Sequence, residues 1–368
     1  MYELISQYKN NIILFIIMIN VQIMAFANST YDDADKAHSV CTKIISSSDK
    51  KISNSIPTFS KLNFALEQYI EGDVVCLADV YQSAIVIEDF DSGNKPLIIR
   101  PLHYLGTTIK SRHYSGTGIA IKNSNGIVID GLIITGGLYA IFIQDSSDIS
   151  LLSNRVFNTG NQAISIKPRY SGGKNYLIEN NVIFNTGLLS PQYGEGIYIG
   201  DGSYTKDRSQ LKIKYTVSNV LVKNNLIHHT GNEAIDVKAN AYNVKIIQNR
   251  INHINLKFNA AITIATESSF APLGGYQVVD NVLSNITNRS GYRAIGIAAG
   301  HGDTFIKDNL IINDQDKFTA ICLFTTFLNP SLNKVTLENN KLVGAGLAFS
   351  EACTGGTKSN AKADVIFK

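Results

Sequence analysis

The stretch Glu233-Ala-Ile-Asp-Val-Lys238 sets three ionisable side chains among small and apolar neighbours. Carboxylates and an amine that close together can hold a cation, or take and return a proton. In an extended strand successive side chains alternate between faces, so Ile235 and Val237 point one way and Asp236 and Lys238 the other. The pattern predicts a buried strand with a charged outer face. The same frame recurs earlier, in Tyr139-Ala-Ile-Phe-Ile143, Gln162-Ala-Ile-Ser-Ile166 and Glu195-Gly-Ile-Tyr-Ile199. It recurs later in Ala260-Ala-Ile-Thr-Ile264 and Arg293-Ala-Ile-Gly-Ile297, but only the copy at Glu233 carries all three charges.

If the copies stack as neighbouring strands, about 4.8 Å apart, their outward positions form columns. The first reads Tyr139, Gln162, Glu195, Glu233, Ala260, Arg293; the second Phe142, Ser165, Tyr198, Asp236, Thr263, Gly296; the third Gln144, Lys167, Gly200, Lys238, Ala265, Ala298. Glu195 and Glu233 become stacked neighbours with Asp236 beside them, and three carboxylates that close repel unless a cation joins them. Calcium fits, because it takes several oxygen ligands in a tolerant geometry. A surface ladder in which Lys238 and Lys167 neutralise the acids accounts for the same residues. The concentration of charge on two consecutive coils, with Ala, Thr and Phe in the flanking ones, favours a site. Beside it lies a longer connection, Asp201 to Thr216, carrying Lys206, Arg208, Lys212 and Lys214. With Lys167, its Lys206 and Arg208 are candidates for holding an anionic chain, a solvated basic loop being the plain alternative.

A second repeat positions the first. Asn154, Asn181, Asn225, Asn249, Asn281, Asn309 and Asn340 each precede an apolar pair or near-pair. Intervals of roughly 23 to 32 residues, with one of about 44, suit a solenoid of short strands and turns with one insertion. Stacked coils place each Asn above the next, where side-chain amides can bond along the axis. Ile164, Ile197, Ile235, Ile262 and Ile295 are expected to stack inside. Phe59, Leu62, Phe64, Leu66 and Ile70 have near-helical spacing and end at Gly72, which predicts a short amphipathic helix.

That helix, followed by GDVVCLADVYQSAIVI and KPLIIRP, resembles the opening of secreted right-handed parallel β-helix proteins of the pectin-lyase-like kind, in which the helix plugs the first coil. The resemblance implies an all-β, single-stranded right-handed parallel β-helix with a short N-terminal capping helix. One such domain is expected over residues 57–368, capped by 57–72 and by about 347–368, after a signal peptide at 1–27 and a polar linker at 28–56. The signal assignment rests on the apolar run Ile12 to Ile19 and the small-x-small Ala25-Phe26-Ala27. It implies a secreted or periplasmic location, with no membrane attachment after cleavage. Cys41, Cys76, Cys322 and Cys353 lack metal-type spacing and read as unpaired core residues, though export permits disulfides. A formal net charge of +3 is too small to argue for nucleic acid, and a hydrophobic content of 44% suffices for one sizeable core. A monomer is expected.

A long open face suits a polymer, and on a uronate-containing polysaccharide the demanding step is removal of the proton beside the carboxylate. Glu233-Ala-Ile-Asp-Val-Lys238, with Asn240 and Asn249 behind it, is similar to the calcium-binding Glu and following Lys base of the alginate lyase and chondroitinase B type of polysaccharide lyase. Arg293 to His301 is similar to that group's coil containing Arg and His. The resemblance implies Lys238 as base and calcium on Glu195, Glu233 and Asp236, with Arg293 helping to hold the substrate carboxylate of an acidic polysaccharide. Its catalytic Arg has no counterpart in Ala260 to Glu267, which leaves Tyr198 or His301 as the acid. Gly300-His301-Gly302 also resembles the GHG of polygalacturonase-type hydrolases, without companion acids. A uronate epimerase and a non-catalytic carbohydrate-binding or adhesive solenoid are the remaining readings.

Overall fold

The computed structural model of the protein describes residues 41–46, 56–59, 61–79, 84–111, 114–202, 215–238, 240–257, 259–265, 274–300, 302–323, 334–350 and 364–367. Their strands form three parallel sheets, of thirteen, ten and nine strands. Each coil contributes one strand to each sheet in turn, as Tyr139–Gln144, Ser147–Leu152 and Arg155–Phe157 do. The chain is thus an all-β parallel β-helix, and the ten-stranded sheet, which carries Ile235–Val237, is the site sheet.

The isoleucine column forms as the repeat predicts over most of its length. Ile119, Ile141, Ile164, Ile197, Ile235 and Ile262 pair in register and are fully buried. At the next coil Ile262 pairs with Ile297, not with Ile295. The run Ala294-Ile295-Gly296-Ile297 contains two overlapping small-Ile frames. The second is used, so Gly296 takes the place that Ala261 holds in the preceding coil, and a Cβ there would lie 2.6 Å from the Ala320 carbonyl oxygen. Ile295 and Ala298 therefore take the outward columns, where they pack with Ala260 and Cys322 in a separate apolar cluster.

At the corner between the thirteen- and nine-stranded sheets, the asparagines form the expected ladder. From Asn154 to Asn340 each Nδ2 donates to the next Oδ1 at 2.9–3.1 Å. Each Oδ1 also accepts the preceding asparagine's backbone N–H. Asn225→Ala would remove donors to the Ile178 and Lys223 carbonyls and to Asn249, and would orphan Asn181. Because these groups are buried, about 3 kcal/mol of stability should be lost. A denaturant midpoint unchanged from wild type would show that the ladder is dispensable.

The N-terminal helix is shorter than its sequence pattern suggests. It spans Leu62–Glu67, with Leu62 and Ala65 in the core, while Ile70 is exposed. Asp73 accepts the Ile70 N–H, turning the chain before another helical turn can form. The expected polar linker is corrected in part: Lys43–Ile45 is a buried strand between Thr58–Phe59 and Val74–Leu77. Lys43 is tolerated there because its ammonium ion-pairs with Asp73 and donates to the Gln68 carbonyl. The cysteine expectation is also corrected: Cys41 and Cys76 form a disulfide, and Cys322 is disulfide-bonded as well. Leu347–Ser350 and Asp364–Phe367 continue the site sheet and the thirteen-stranded sheet; residues 351–363 of the expected C-terminal cap lie outside the described residues. The expected signal peptide lies outside the described residues; among them, no helix is long and apolar enough to cross a membrane.

Candidate functional site

Strict alternation would bury Glu233 beside Ile235, yet its carboxylate meets that of Asp236 on the outer face. The backbone turns at Ala234: the N–H groups of Ala234 and Ile235 both donate to the Ala261 carbonyl, and both side chains lie in the core. Only a small residue fits so close a turn. Tyr198 pairs with Asp236 in register, which stacks the coil of Glu195 on that of Glu233. Each of the carboxylates of Glu195, Glu233 and Asp236 offers an oxygen within 4.8 Å of the others. They are 4%, 1% and 1% exposed.

Their hydrogen bonding is incomplete. Asn259 Nδ2 donates to Glu233 Oε1 at 2.7 Å, and Gln162 bonds to Glu195. Glu195 Oε2, Glu233 Oε2 and Asp236 Oδ1 have no hydrogen-bond partner, and neither have the adjoining Gln162 Oε1 and Ser165 Oγ. Buried oxygens of this kind are rare in folded proteins without a cation or proton to satisfy them. Burial, with Asp236 next in importance, pushes the Glu195 carboxyl up to about 7. Burial raises Glu233 well above the ordinary range, with Asp236 and Glu195 adding to it, and burial also raises Asp236 against the pull of Lys238.

Lys238 Nζ lies 2.7 Å from Asp236 Oδ2 and 5.1 Å from the centre of the Tyr198 ring. Burial pulls its pKa down, but Asp236, Glu233 and Glu195 together hold it above the usual lysine value. Tyr198 is 7% exposed, and its hydroxyl oxygen accepts the Gly202 N–H at 2.8 Å, which leaves the O–H to donate elsewhere. Burial and the Asp236 charge keep the phenol protonated. Lys167 Nζ lies against the same ring, 4.7 Å from its centre. Asn240 Oδ1 accepts the Asp201 N–H, fixing the first residues of the long connection beside Lys238.

The structure thus brings together Lys167, Glu195, Tyr198, Glu233, Asp236 and Lys238. Arg293 is not among them. The two-residue register shift carries it out of the first column, and its guanidinium is turned to the carbonyls of Phe318 and Asp316. His301, Lys206 and Arg208 lie outside the described residues, as do Lys212 and Lys214. Sequence reading missed Asn259, which directly precedes Ala260 on the next coil, and missed Arg289, which interacts electrostatically with Glu233 and donates to the Gly231 and Asn255 carbonyls. Neither belongs to a repeated frame. Gln162 stood in the first column, where its stacking on Glu195 was the available signal.

The chemistry of this donor set is specific. Three carboxylates beside one ammonium leave two net negative charges, and every available ligand atom is oxygen. A divalent hard cation balances that charge and suits that set.

Comparison with known proteins bears on the fold. Residues 75–216 match the family model described as right handed beta helix region. No curated protein matches the sequence. Among solved structures, the chain is similar to an alginate lyase from Paenibacillus sp. str. FPU-7, at 17% identity and a TM-score of 0.59, over 79% of this chain and 95% of that one. It is also similar to a GH136 lacto-N-biosidase from Eubacterium ramulus, at 11% identity and a TM-score of 0.52, over 92% of this chain and 70% of the other. Together with the three parallel sheets, these likenesses make the chain a right-handed parallel β-helix protein.

Proposed function

We propose that the protein is an exported lyase that cleaves a uronate-containing polysaccharide by β-elimination. The observation that carries this reading is the buried cluster of Glu195, Glu233 and Asp236 against Lys238 and Tyr198. Lys238 takes the proton from carbon five of the uronate. The electrons form the bond between carbons four and five, and the bond from carbon four to the glycosidic oxygen breaks. Tyr198, protonated and with its O–H unengaged by the Gly202 bond, gives its proton to the leaving oxygen. The phenolate and the ammonium then return to their starting states by exchange with water.

Glu195, Glu233 and Asp236 would hold calcium, which supplies positive charge next to the developing enolate and cancels the carboxylate field. That field is what raises Lys238; with it cancelled, burial is the remaining influence, and it favours the neutral amine a base requires. Arg293 has no part in this scheme. The disulfides agree with an oxidising compartment, as expected of a secreted or periplasmic chain acting as a monomer.

The test is the ultraviolet absorbance of unsaturated uronate, followed on alginate, pectate and chondroitin with calcium and with a chelator. Absorbance should rise on at least one polymer only when calcium is present. Cleavage that yields saturated ends would instead indicate a hydrolase, and intact polymer with inverted carbon five an epimerase.

A further inference from the structure

We infer that Lys167, Tyr139 and Phe142 form a subsite adjoining the carboxylate cluster on its N-terminal side, for one acidic sugar unit, with Lys167 taking its carboxylate and the two rings packing against its pyranose face. The inference rests on the reading of the substrate as a polyuronate, but not on the elimination chemistry. Lys167 ends the strand Ile164–Lys167, paired with Gln144 of the preceding coil. Its ammonium lies 4.7 Å from the Tyr198 ring centre and 5.7 Å from that of Tyr139. Among the described residues no carboxylate reaches it within ion-pair distance; Asp201 and Glu195 act on it only from farther off. An ammonium that is largely buried, with no carboxylate at ion-pair distance among the described residues, is short of compensating charge. Contact with two ring faces offsets part of that deficit, and the carboxylate of a ligand would supply the rest.

Tyr139 and Phe142 occupy the coil before it. Their ring centres are 5.4 Å apart with the planes tilted by 33°, and both are half-buried. They present adjoining aromatic surface on the outer face, in the columns that lead to Glu195 and Asp236. Apolar and aromatic walls with a few placed polar groups are what small-molecule sites are made of. On the other side of the carboxylates the columns continue as Ala260, Thr263, Ile295 and Ala298, which carry no charge. Among the described residues of these three columns, cationic and aromatic recognition groups other than the proposed catalytic pair therefore stand on the N-terminal side of the reacting unit.

The experiment is calorimetric titration of calcium-loaded protein with hexasaccharides of alginate, pectate and chondroitin, and with the same oligosaccharides after reduction of their carboxyls. All variants are made in the Lys238→Ala background so that nothing is consumed. Lys167→Met should weaken binding of the acidic hexasaccharide by roughly ten- to a hundredfold, the worth of a charge-assisted contact. Lys167→Arg should restore most of it, and the reduced oligosaccharide should bind weakly and alike to all forms. Equal binding of acidic and reduced oligosaccharides, unchanged affinity in Lys167→Met, or no binding of any acidic hexasaccharide would overturn the subsite. Should Lys167→Met fail to fold, Tyr139→Ala replaces it, with a loss of about fivefold or more expected from the missing ring and no loss counting against the proposal. Unsaturated product with undiminished binding by Lys167→Met would sink the subsite alone. Loss of binding in that variant without unsaturated product from the wild type would sink the lyase reading alone.

Discussion

Lys238→Ala should lower turnover on the cleaved polymer by about a hundred- to ten-thousandfold, the contribution of a positioned base, while substrate binding survives. Lys238 is 8% exposed, held by Asp236 at 2.7 Å and by the ring of Tyr198, so its amine has little freedom to be replaced by water. The same geometry admits a purely structural role, in which Lys238 neutralises Asp236. The two roles predict different measurements. A structural lysine would show lower stability with turnover retained per folded molecule, since breaking a buried pair costs about 3–5 kcal/mol. A base would show turnover lost even in calcium-loaded protein whose unfolding midpoint is close to wild type. Measuring both quantities on this variant separates them, and retained turnover in folded protein rules out the mechanism.

Without calcium, the protein should become less stable as pH rises from about 4.5 to about 7. Glu195 titrates at about 7 in the fold against 4.5 ordinarily. Below 4.5 the group is protonated whether the chain is folded or not, and it costs nothing. Between the two values the folded state binds more protons than the unfolded one, so stability falls with rising pH; above about 7 the loss is complete. Glu233 and Asp236 are raised too and act in the same direction. Lys238 acts at the other end of the scale: its raised pKa stabilises the fold below the ordinary lysine value and is lost only in strong alkali. The Glu195 shift alone corresponds to about 3 kcal/mol. Calcium should remove most of the slope by competing with protons for the same oxygens. Thermal unfolding across this range with and without chelator checks it; a flat chelated profile would count against the clustering of charge.

The fold was legible because two repeats of different residue types agree. Ala-Ile-x-Ile fixes an inward column and Asn-apolar-apolar fixes a corner, and any other register would break one of them. The carboxylate cluster was legible for the same reason, since Glu195, Glu233 and Asp236 stand at repeated positions. Legibility stopped where the repeat became ambiguous. Two small-Ile frames overlap in Ala294-Ile295-Gly296-Ile297, and only the strand pairing in three dimensions shows that the second is used. Arg293 was misplaced on that account. Asn259 and Arg289 approach Glu233 from turns and strand ends outside any frame. Lys43 illustrates the opposite failure: a polar stretch concealed a strand because its charge is cancelled by Asp73, thirty residues later in the chain.

Calorimetric titration of the chelated, purified chain with calcium at neutral pH tests the central claim most directly. One ion per chain should bind in the wild type, with protons released as it does so, and Glu233→Gln should abolish the heat or weaken the affinity by at least about a hundredfold, since a charged ligand in a buried site is lost. No binding by the wild type, or the same affinity in Glu233→Gln, would contradict it.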